Sequence, residues 1–277
     1  MADYIKVEFE FLDTGQKEIA IALLTEMNYE SFEEEGDLLM AYISSTSFDS
    51  RELKAFADKY NVSFSTSEVE NKNWNQLWES NFQPVIINHP IHNTAWVAIR
   101  ADFHQPINDI EHEIIITPKM SFGTGHHATT YMMIKMMSEL DFVGKTILDF
   151  GTGTGILSIL SEKLGAARIT AIDYDEQSIK NASENFESND CDKIQLIKAS
   201  SAKGDDKFDI ILANIIKAII VDNLPAFSKQ LNPNGIILLS GLLKEDEDVI
   251  LESGLNNNLI LKRKMEMEGW ISVQMTR

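Results

Sequence analysis

The chain has 277 residues, of which 44% are hydrophobic and 24% charged, a composition typical of soluble globular proteins that excludes wholesale disorder. Its 24 basic and 43 acidic side chains give a formal net charge of −19, which disfavours a nucleic-acid-binding or membrane-surface protein. The single cysteine, Cys191, excludes an intrachain disulfide, and no Cys/His cluster has the spacing of a zinc site. Because no signal peptide or membrane-spanning stretch is predicted, we expect a cytoplasmic protein.

The N-terminal quarter is the most acidic part of the chain. Residues 1–70 contain 16 acidic and 5 basic side chains, a net charge of −11. Alternating and helical patterns predict strands at 4–11, 29–34, 38–44 and 62–69 and helices at 16–27 and 49–60. This β-α-β-β-α-β order is that of the ferredoxin-like fold. We therefore predict a small α+β domain at residues 1–69 that meets a basic partner.

A linker and a larger domain follow. Trp74 and Trp78 lie on one face of a helix predicted as a linker over residues 70–84. In the domain predicted at 85–277, apolar strands alternate with helices, which favours a doubly wound, mostly parallel sheet. Two closing strands are expected to pair antiparallel at one edge. The strands are predicted at 96–100, 113–117, 146–150, 168–173, 194–199, 208–213, 235–240, 259–264 and 270–275, and the helices at 155–163, 176–187 and 216–229.

A glycine-rich turn follows the first strand of the alternating region. Asp149, Gly151, Gly153 and Gly155 form the pattern D-x-G-x-G-x-G, and the glycines let a ligand approach the bare backbone. The nicotinamide fingerprint G-x-G-x-x-G fits neither register. The pattern resembles motif I of the class I S-adenosylmethionine-dependent methyltransferases. Asp149 suits a ligand with an ammonium and a sulfonium, whereas it would repel a pyrophosphate.

Asp173 ends the next strand, 22 residues after Gly151. This is close to the spacing of the acidic residue that binds ribose hydroxyls in nucleotide-binding α/β proteins. The residue indicates nucleoside binding but not the reaction, since it would suit NAD equally well.

Asn214 follows another very apolar strand, at the edge where open α/β sheets bind their ligands. The run Asn214-Ile215-Ile216-Lys217 resembles motif IV of nitrogen methyltransferases, typically N-P-P-Y. The side-chain oxygen of Asn214 and the main-chain carbonyl of Ile215 could accept the hydrogens of a neutral amine. Its lone pair would then face the methyl group, so we predict these two residues as catalytic. An asparagine at a strand end is also a common helix cap.

The loop at residues 118–130 is the most family-specific stretch of the chain. Its sequence, PKMSFGTGHHATT, resembles the A-F-G-T-G-T-H-P-T-T loop of the bacterial ribosomal protein L11 methyltransferases, and Trp74, Trp78, Phe82 and Pro84 match the W-x(3)-W-x(3)-F-x-P linker of that family. The resemblance spans essentially the whole chain. It implies a class I methyltransferase domain preceded by a ferredoxin-like substrate-recognition domain.

The resemblance also implies a cofactor, a substrate and site residues. The cofactor is S-adenosyl-L-methionine, and the substrate is a basic stalk-base protein of the large ribosomal subunit, bound through the acidic N-terminal domain. The matching cofactor contacts are Thr130, Gly151, Asp173 and Asn214, with Phe122 in the apolar pocket. No metal, direct nucleic-acid contact or membrane is implied, and nothing requires more than a monomer.

Some positions depart from the family pattern, and two other classes of function stay open. His126, Ala128 and Lys217 stand where the family has Thr, Pro and a small residue. His127 matches the family histidine, which we interpret as part of the loop architecture. One alternative function is an NAD-dependent oxidoreductase. The other is an assembly factor that binds S-adenosylmethionine without turnover.

Overall fold

The protein divides into two compact units, residues 1–80 and 81–277, in a computed structural model. The structure describes residues 4–10, 17, 20–21, 23–25, 27–36, 38–69, 82–117, 123, 125–202 and 204–277. Most of the predicted linker helix at 70–84, including Trp74 and Trp78, lies outside these residues, as does Phe122. None of the helices in the described ranges is long and apolar enough to cross a membrane.

The first unit contains one antiparallel sheet in the order β2-β3-β1-β4. The described residues 20–21 and 23–25, which lie between the first two strands, are helical. The ferredoxin-like fold stays a prediction, and the described elements run strand, helix, strand, strand, helix, strand. They are β1 (Tyr4–Glu10), β2 (Ser31–Glu35), β3 (Leu38–Ser44), α1 (Ser50–Tyr60) and β4 (Ser63–Val69).

The apolar face predicted for β1 forms the centre of this unit. Val7 and Phe9 are fully buried, and the ring of Phe9 packs edge-on against Phe56 of α1 at 5.6 Å between centroids. Asp49 caps α1 by accepting a hydrogen bond from the backbone N–H of Arg51 at 2.8 Å. Alternation in the strand and the helix cap are local signals, which is why the sequence predicts both well.

The second unit contains two sheets. The smaller has the order β5-β6-β7, and the larger has seven strands in the order β10-β9-β8-β11-β12-β14-β13. The elements are β5 (Val85–Asn88), β6 (Ala95–Ala101), β7 (His112–Ile116), α2 (Ala128–Met137), β8 (Thr146–Phe150), α3 (Ile156–Lys163), β9 (Arg168–Asp173), α4 (Glu176–Ser188), β10 (Ile194–Lys198), β11 (Phe208–Asn214), α5 (Lys217–Gln230), β12 (Leu231–Leu243), α6 (Glu247–Asn256), β13 (Ile260–Met267) and β14 (Trp270–Thr276).

The topology of the large sheet confirms the predicted fold class. All neighbouring strands run parallel except β14, which lies antiparallel to both β12 and β13. The strand order reverses between β8 and β11, which places Phe150 and Asn214 at adjacent carboxyl ends. Open α/β sheets bind their ligands at such a switch point. The fold thus positions the glycine-rich turn beside the predicted amine site.

Strand β5, helices α2 and α6 and a short 3-10 helix at Lys244–Asp246 go beyond the prediction for this unit. Helix α2 is buried on nearly all sides, including Met132, Met133, Met136 and Met137, so it lacks the polar face that makes a helix recognisable from its sequence. Strand β12 is also longer than the predicted 235–240, because its pairing begins at Leu231.

Candidate functional site

The glycine-rich turn joins β8 to α3. Gly151, Gly153 and Gly155 have φ angles of +77°, +55° and +83°, in the left-handed region that favours glycine. A Cβ atom on Gly151 would lie 2.2 Å from Cγ2 of Ile215, and one on Gly155 would lie 2.4 Å from Cε1 of Phe186. The three glycines therefore provide both the tight bend and the close packing against α4 and the end of β11.

Asp149 is buried beneath this turn. Its Oδ2 accepts hydrogen bonds from Oγ1 of Thr152 at 2.6 Å and from Oγ of Ser158 at 2.7 Å. Burial raises the pKa of Asp149 to about 6, and the nearby charge of Asp173 acts in the same direction, although the two hydroxyls oppose the shift. The carboxylate thus connects β8, the turn and α3, while its predicted contact with a cationic ligand stays a prediction.

Asp173 holds the turn from the neighbouring strand. Its Oδ2 accepts a hydrogen bond from the N–H of Gly153 at 2.9 Å, and its Oδ1 accepts one from the N–H of Asp175 at 3.0 Å. Each carboxylate oxygen can accept a second hydrogen bond. The structure therefore brings together Asp173 and Gly153, both predicted cofactor contacts, and the carboxylate keeps acceptor capacity for further donors such as the hydroxyls of a ribose.

Asn214 lies at the end of β11, where the nitrogen of its side-chain amide is hydrogen-bonded to the protein. Its Nδ2 donates to Oγ1 of Thr130, which is buried in α2, over 3.2 Å. Its Oδ1 is buried and has no hydrogen-bond partner among the described residues, as is also the case for Oδ1 of Asn181 and Oε1 of Gln230. Buried polar atoms in proteins are usually paired, and this acceptor lies at the edge of the sheet where open α/β folds bind their ligands. The predicted residues Thr130 and Asn214 are thus in contact, and the open atom is an acceptor.

Ile215 packs between the glycine-rich turn and β12. Its side chain fills the space beside Gly151, and its N–H donates to the carbonyl of Ser240 at 3.1 Å. Gly241 has a φ of +78°, and a Cβ there would lie 2.3 Å from the carbonyl oxygen of Ile215. The backbone that carries the predicted amine acceptor is therefore fixed by a glycine of β12 that sequence analysis did not single out.

The histidine of the family-specific loop has a structural role. His127 is the N-cap of α2, where its Nδ1 accepts a hydrogen bond from the N–H of Thr129 at 3.3 Å. Its ring packs edge-on against Trp270 at 4.8 Å between centroids. These contacts support its interpretation as loop architecture. In the described part of the chain, no group of three or more His, Cys, Asp or Glu side chains could hold a metal ion.

Lys217, which departs from the family pattern, is paired in the structure. Its Nζ donates to Oδ1 of Asp246 at 2.5 Å, and this hydrogen bond raises the pKa of the lysine. Asp246 is buried, and its other oxygen accepts from the N–H of Leu243 at 2.9 Å. Lys217 therefore anchors the start of α5 to the chain after β12, a link over 29 residues that has no sequence signal.

The side chains of Asn185 and Thr154 also hold the turn in place, and the sequence analysis predicted neither. Asn185 of α4 donates from Nδ2 to the carbonyl of Thr154 at 2.8 Å, and Oγ1 of Thr154 donates to the carbonyl of Gly123 at 2.6 Å. Together with Asp149 and Asp173, they hold the turn by side-chain hydrogen bonds from several directions. The result is a rigid backbone surface beside the open acceptor of Asn214.

Comparisons with known proteins show the family of the chain. The family model of the ribosomal protein L11 methyltransferases (PrmA) matches residues 9–277. The chain is 36% identical over 281 residues to the ribosomal protein L11 methyltransferase of Phocaeicola vulgatus, covering 98% of each. It is 36% identical to that of Porphyromonas gingivalis, over 92% of this chain and 89% of the relative.

A solved structure is similar as well. The crystal structure of a ribosomal protein L11 methylase from Lactobacillus delbrueckii subsp. bulgaricus superposes with a TM-score of 0.62 and 32% sequence identity, over 69% of this chain and 98% of that one. The family model thus matches nearly the whole sequence, and the curated relatives that carry the same name match over nearly the whole chain as well. The chain belongs to the ribosomal protein L11 methyltransferase family.

Proposed function

We propose that this chain transfers methyl groups from S-adenosylmethionine to amine nitrogens of ribosomal protein L11, at lysine side chains, the N-terminal amine or both. The observation that carries the proposal is the buried Oδ1 of Asn214, which no described residue pairs by a hydrogen bond. It lies next in sequence to Ile215, whose side chain packs on Gly151 of the glycine-rich turn. An open acceptor at this position suits a substrate that donates hydrogens, as an amine does.

The residues present fit the proposed cofactor. The turn offers bare backbone at Gly151, Gly153 and Gly155, and the carboxylate of Asp173 has acceptor capacity left for ribose hydroxyls. Asp149 adds negative charge beneath the turn, which suits the ammonium and sulfonium of S-adenosylmethionine and disfavours a pyrophosphate. When bound, the cofactor supplies a methyl group on a positively charged sulfur.

The amine would be held by two oxygen acceptors. Oδ1 of Asn214 and the main-chain carbonyl of Ile215 accept its two hydrogens, which directs the nitrogen lone pair towards the methyl group. A protonated amine has no lone pair, and a lysine with a pKa near 10.4 in water must lose its proton first. Desolvation at an apolar site lowers that pKa, and the proton passes to bulk water as the substrate binds. Alignment of this kind contributes about 7–11 kcal/mol to catalysis.

The N-terminal unit would capture the basic substrate. Residues 1–70 carry a net charge of −11, and many of the acidic side chains are exposed: Glu10, Glu30, Glu33, Glu52, Asp58 and Glu68. Ribosomal proteins are rich in lysine, so charge complementarity would increase the rate and affinity of association. The reaction would then take place in the cytoplasm, where ribosomes assemble.

The direct test is transfer of labelled methyl groups to ribosomal protein L11 prepared from a strain that lacks this methylation. We expect label in the protein and mass spectrometry to place it on amine nitrogens. S-adenosylhomocysteine should raise the thermal unfolding midpoint of the chain, whereas NADH should not. A chain that binds S-adenosylhomocysteine but labels no ribosomal protein would contradict the proposed reaction, and stabilisation by NADH would favour an oxidoreductase.

The role of the acidic unit has its own test. We expect the affinity for ribosomal protein L11 to fall steeply as salt rises from about 0.05 to 0.3 M, because screening weakens contacts between exposed charges. The affinity for S-adenosylhomocysteine, a small ligand of the other unit, should change little. Equal salt dependence for the two ligands would contradict capture by charge.

A further inference from the structure

Helix α4 carries an asparagine at every fourth position: Asn181, Asn185 and, as the C-cap, Asn189. Residues four apart lie on one face of a helix and are separated by about 6.0 Å along its axis. Alternate residues of a strand are about 6.6 Å apart. The two repeats nearly match, so a row of asparagines on a helix can pair with alternate residues along a strand. We call this row the asparagine ladder.

The ladder pairs with the backbone at the end of β7. Asn189 accepts from the N–H of Ile115 at 2.9 Å and donates to its carbonyl at 2.6 Å. Asn185 accepts from the N–H of Thr117 at 2.7 Å, and Asn181 donates to the carbonyl of the same residue at 3.2 Å. Side-chain amides thus take the place that a neighbouring strand would occupy.

Asn185 is the member of the ladder that also contacts the glycine-rich turn. Its Nδ2 donates to the carbonyl of Thr154 at 2.8 Å. That carbonyl and the N–H of Gly155 belong to one planar peptide group, and the N–H donates to the carbonyl of Thr152 at 2.8 Å. Both sides of the peptide are therefore held, and Asn185 supplies one of the two restraints from a fully buried position.

We propose that Asn185 is a positioning residue for cofactor binding, which it controls through the Thr154–Gly155 peptide of the glycine-rich turn. The inference rests on the proposed function, because the ligand of the turn is taken to be S-adenosylmethionine. Asn185 acts through the backbone, since its hydrogen-bonding atoms are occupied by Thr117 and Thr154. Asn189 belongs to the same ladder, but its side chain bonds to the backbone of Ile115 and Asn185, and neither residue lies in the turn.

The test compares Asn185→Asp with the matched control Asn189→Asp. Each substitution keeps the shape and the acceptor oxygen but replaces the donating NH₂ by a carboxylate oxygen that faces a carbonyl. We expect Asn185→Asp at pH 8 to weaken the binding of S-adenosylhomocysteine, measured by calorimetry, at least about tenfold. Asn189→Asp should change it less than about twofold, although both variants lose thermal stability.

A pH series separates positioning from a general loss of structure. A buried aspartic acid has a raised pKa, and once protonated it can donate to the carbonyl of Thr154 as the amide does. The penalty of Asn185→Asp, taken relative to the wild-type protein at the same pH, should therefore shrink between pH 8 and pH 5.5. If this variant does not fold at pH 8, Asn185→Ser, which cannot reach Thr154, serves for the affinity comparison.

The outcomes are distinguishable. Wild-type affinity in Asn185→Asp, or equal losses of affinity in the Asn185 and Asn189 variants, would overturn the positioning role and leave the proposed function intact. A wild-type chain that does not bind S-adenosylhomocysteine at all would overturn the proposed function, and this inference with it. A selective, pH-dependent loss in Asn185→Asp supports both.

Discussion

The carboxyl edge of the large sheet has two halves, which differ in how completely their polar side chains are hydrogen-bonded within the protein. On the side of β8 and β9, the carboxylates of Asp149 and Asp173 each accept two hydrogen bonds from the protein. On the side of β11, the amide nitrogen of Asn214 donates a hydrogen bond, while its oxygen has no partner in the described part of the chain. The first half is built to hold a backbone surface rigid, and the second presents an open acceptor.

The difference follows from the cost of burial. A buried carboxylate without donors is very unfavourable, so both acids of the first half are satisfied internally. A neutral amide can leave one acceptor open at a cost of about 1–3 kcal/mol. An open acceptor at the end of a strand therefore costs an asparagine much less free energy than it would cost an aspartate. The arrangement predicts that substitutions in the two halves affect different steps.

The strongest test of this division is Asn214→Ala. Removal of the open acceptor should lower the rate of methyl transfer to ribosomal protein L11 at least about 100-fold, comparable to the loss of one positioned hydrogen-bonding group in other enzymes. The affinity for S-adenosylhomocysteine should stay within about threefold, because the turn is held by other residues. Undiminished methyl transfer would contradict the amine-holding role. An equal loss of methyl transfer and of cofactor affinity would mean that the two halves do not have separate functions.

Gly241→Ala tests the same division of roles through the backbone of Ile215. The new Cβ would lie 2.3 Å from the carbonyl oxygen of Ile215, so that carbonyl must move. We expect methyl transfer to fall about 10- to 100-fold, with a smaller effect on cofactor affinity. Gly269→Ala is the matched control, since Gly269 has nearly the same φ of +79° but open space around it. Equal effects of the two substitutions would mean that backbone strain alone is responsible.

Asp173→Ala tests the half of the edge that is formed by β8 and β9. Loss of the carboxylate frees the N–H of Gly153 and removes the acceptor proposed for the ribose hydroxyls, so calorimetry should show cofactor affinity weakened over about tenfold. The Michaelis constant for ribosomal protein L11 should be unchanged. Asp175→Ala, which removes the cap of α4 two residues away, should lower stability without this loss of affinity. Unchanged affinity in Asp173→Ala would contradict its role in cofactor binding.

The smallest expected effect concerns pH. With its pKa raised to about 6, Asp149 changes from mostly ionised to mostly protonated as the pH falls from 7.5 to 5.5. The ammonium and sulfonium of S-adenosylmethionine favour the ionised form, so the affinity for S-adenosylmethionine should fall about fourfold over this range. Asp149→Asn should bind more weakly at pH 7.5 and lose this dependence. Parallel pH profiles for the two proteins would show that Asp149 does not sense the ligand charge.

Local patterns account for most of what could be predicted. The strand, turn and helix around Gly151 can each be recognised from consecutive residues, and so can the strand that ends at Asp173. The structure forms these elements at the predicted positions. The every-fourth-residue spacing of the asparagine ladder is a local pattern as well, but it has no meaning until β7 is known to lie beside α4. A regular spacing of polar residues on a helix ordinarily indicates a solvated face.

Other features depend on contacts that no local pattern records. Asn214 and Thr130 are 84 residues apart, and the buried helix that carries Thr130 has no amphipathic signature. The open state of the Asn214 oxygen depends on the exact neighbours that the fold provides. The same holds for Gly241, whose need for glycine arises from the approach of Ile215, 26 positions earlier in the chain.

The asparagine ladder has a consequence for solubility. Strand β7 is an edge of the three-stranded sheet, and a free edge exposes backbone groups on which another polypeptide can assemble and aggregate. The amides of α4 occupy the N–H and carbonyl groups of Ile115 and Thr117. A helix thereby shields the end of this strand from intermolecular pairing, so that this end of β7 is not available for assembly with a second polypeptide.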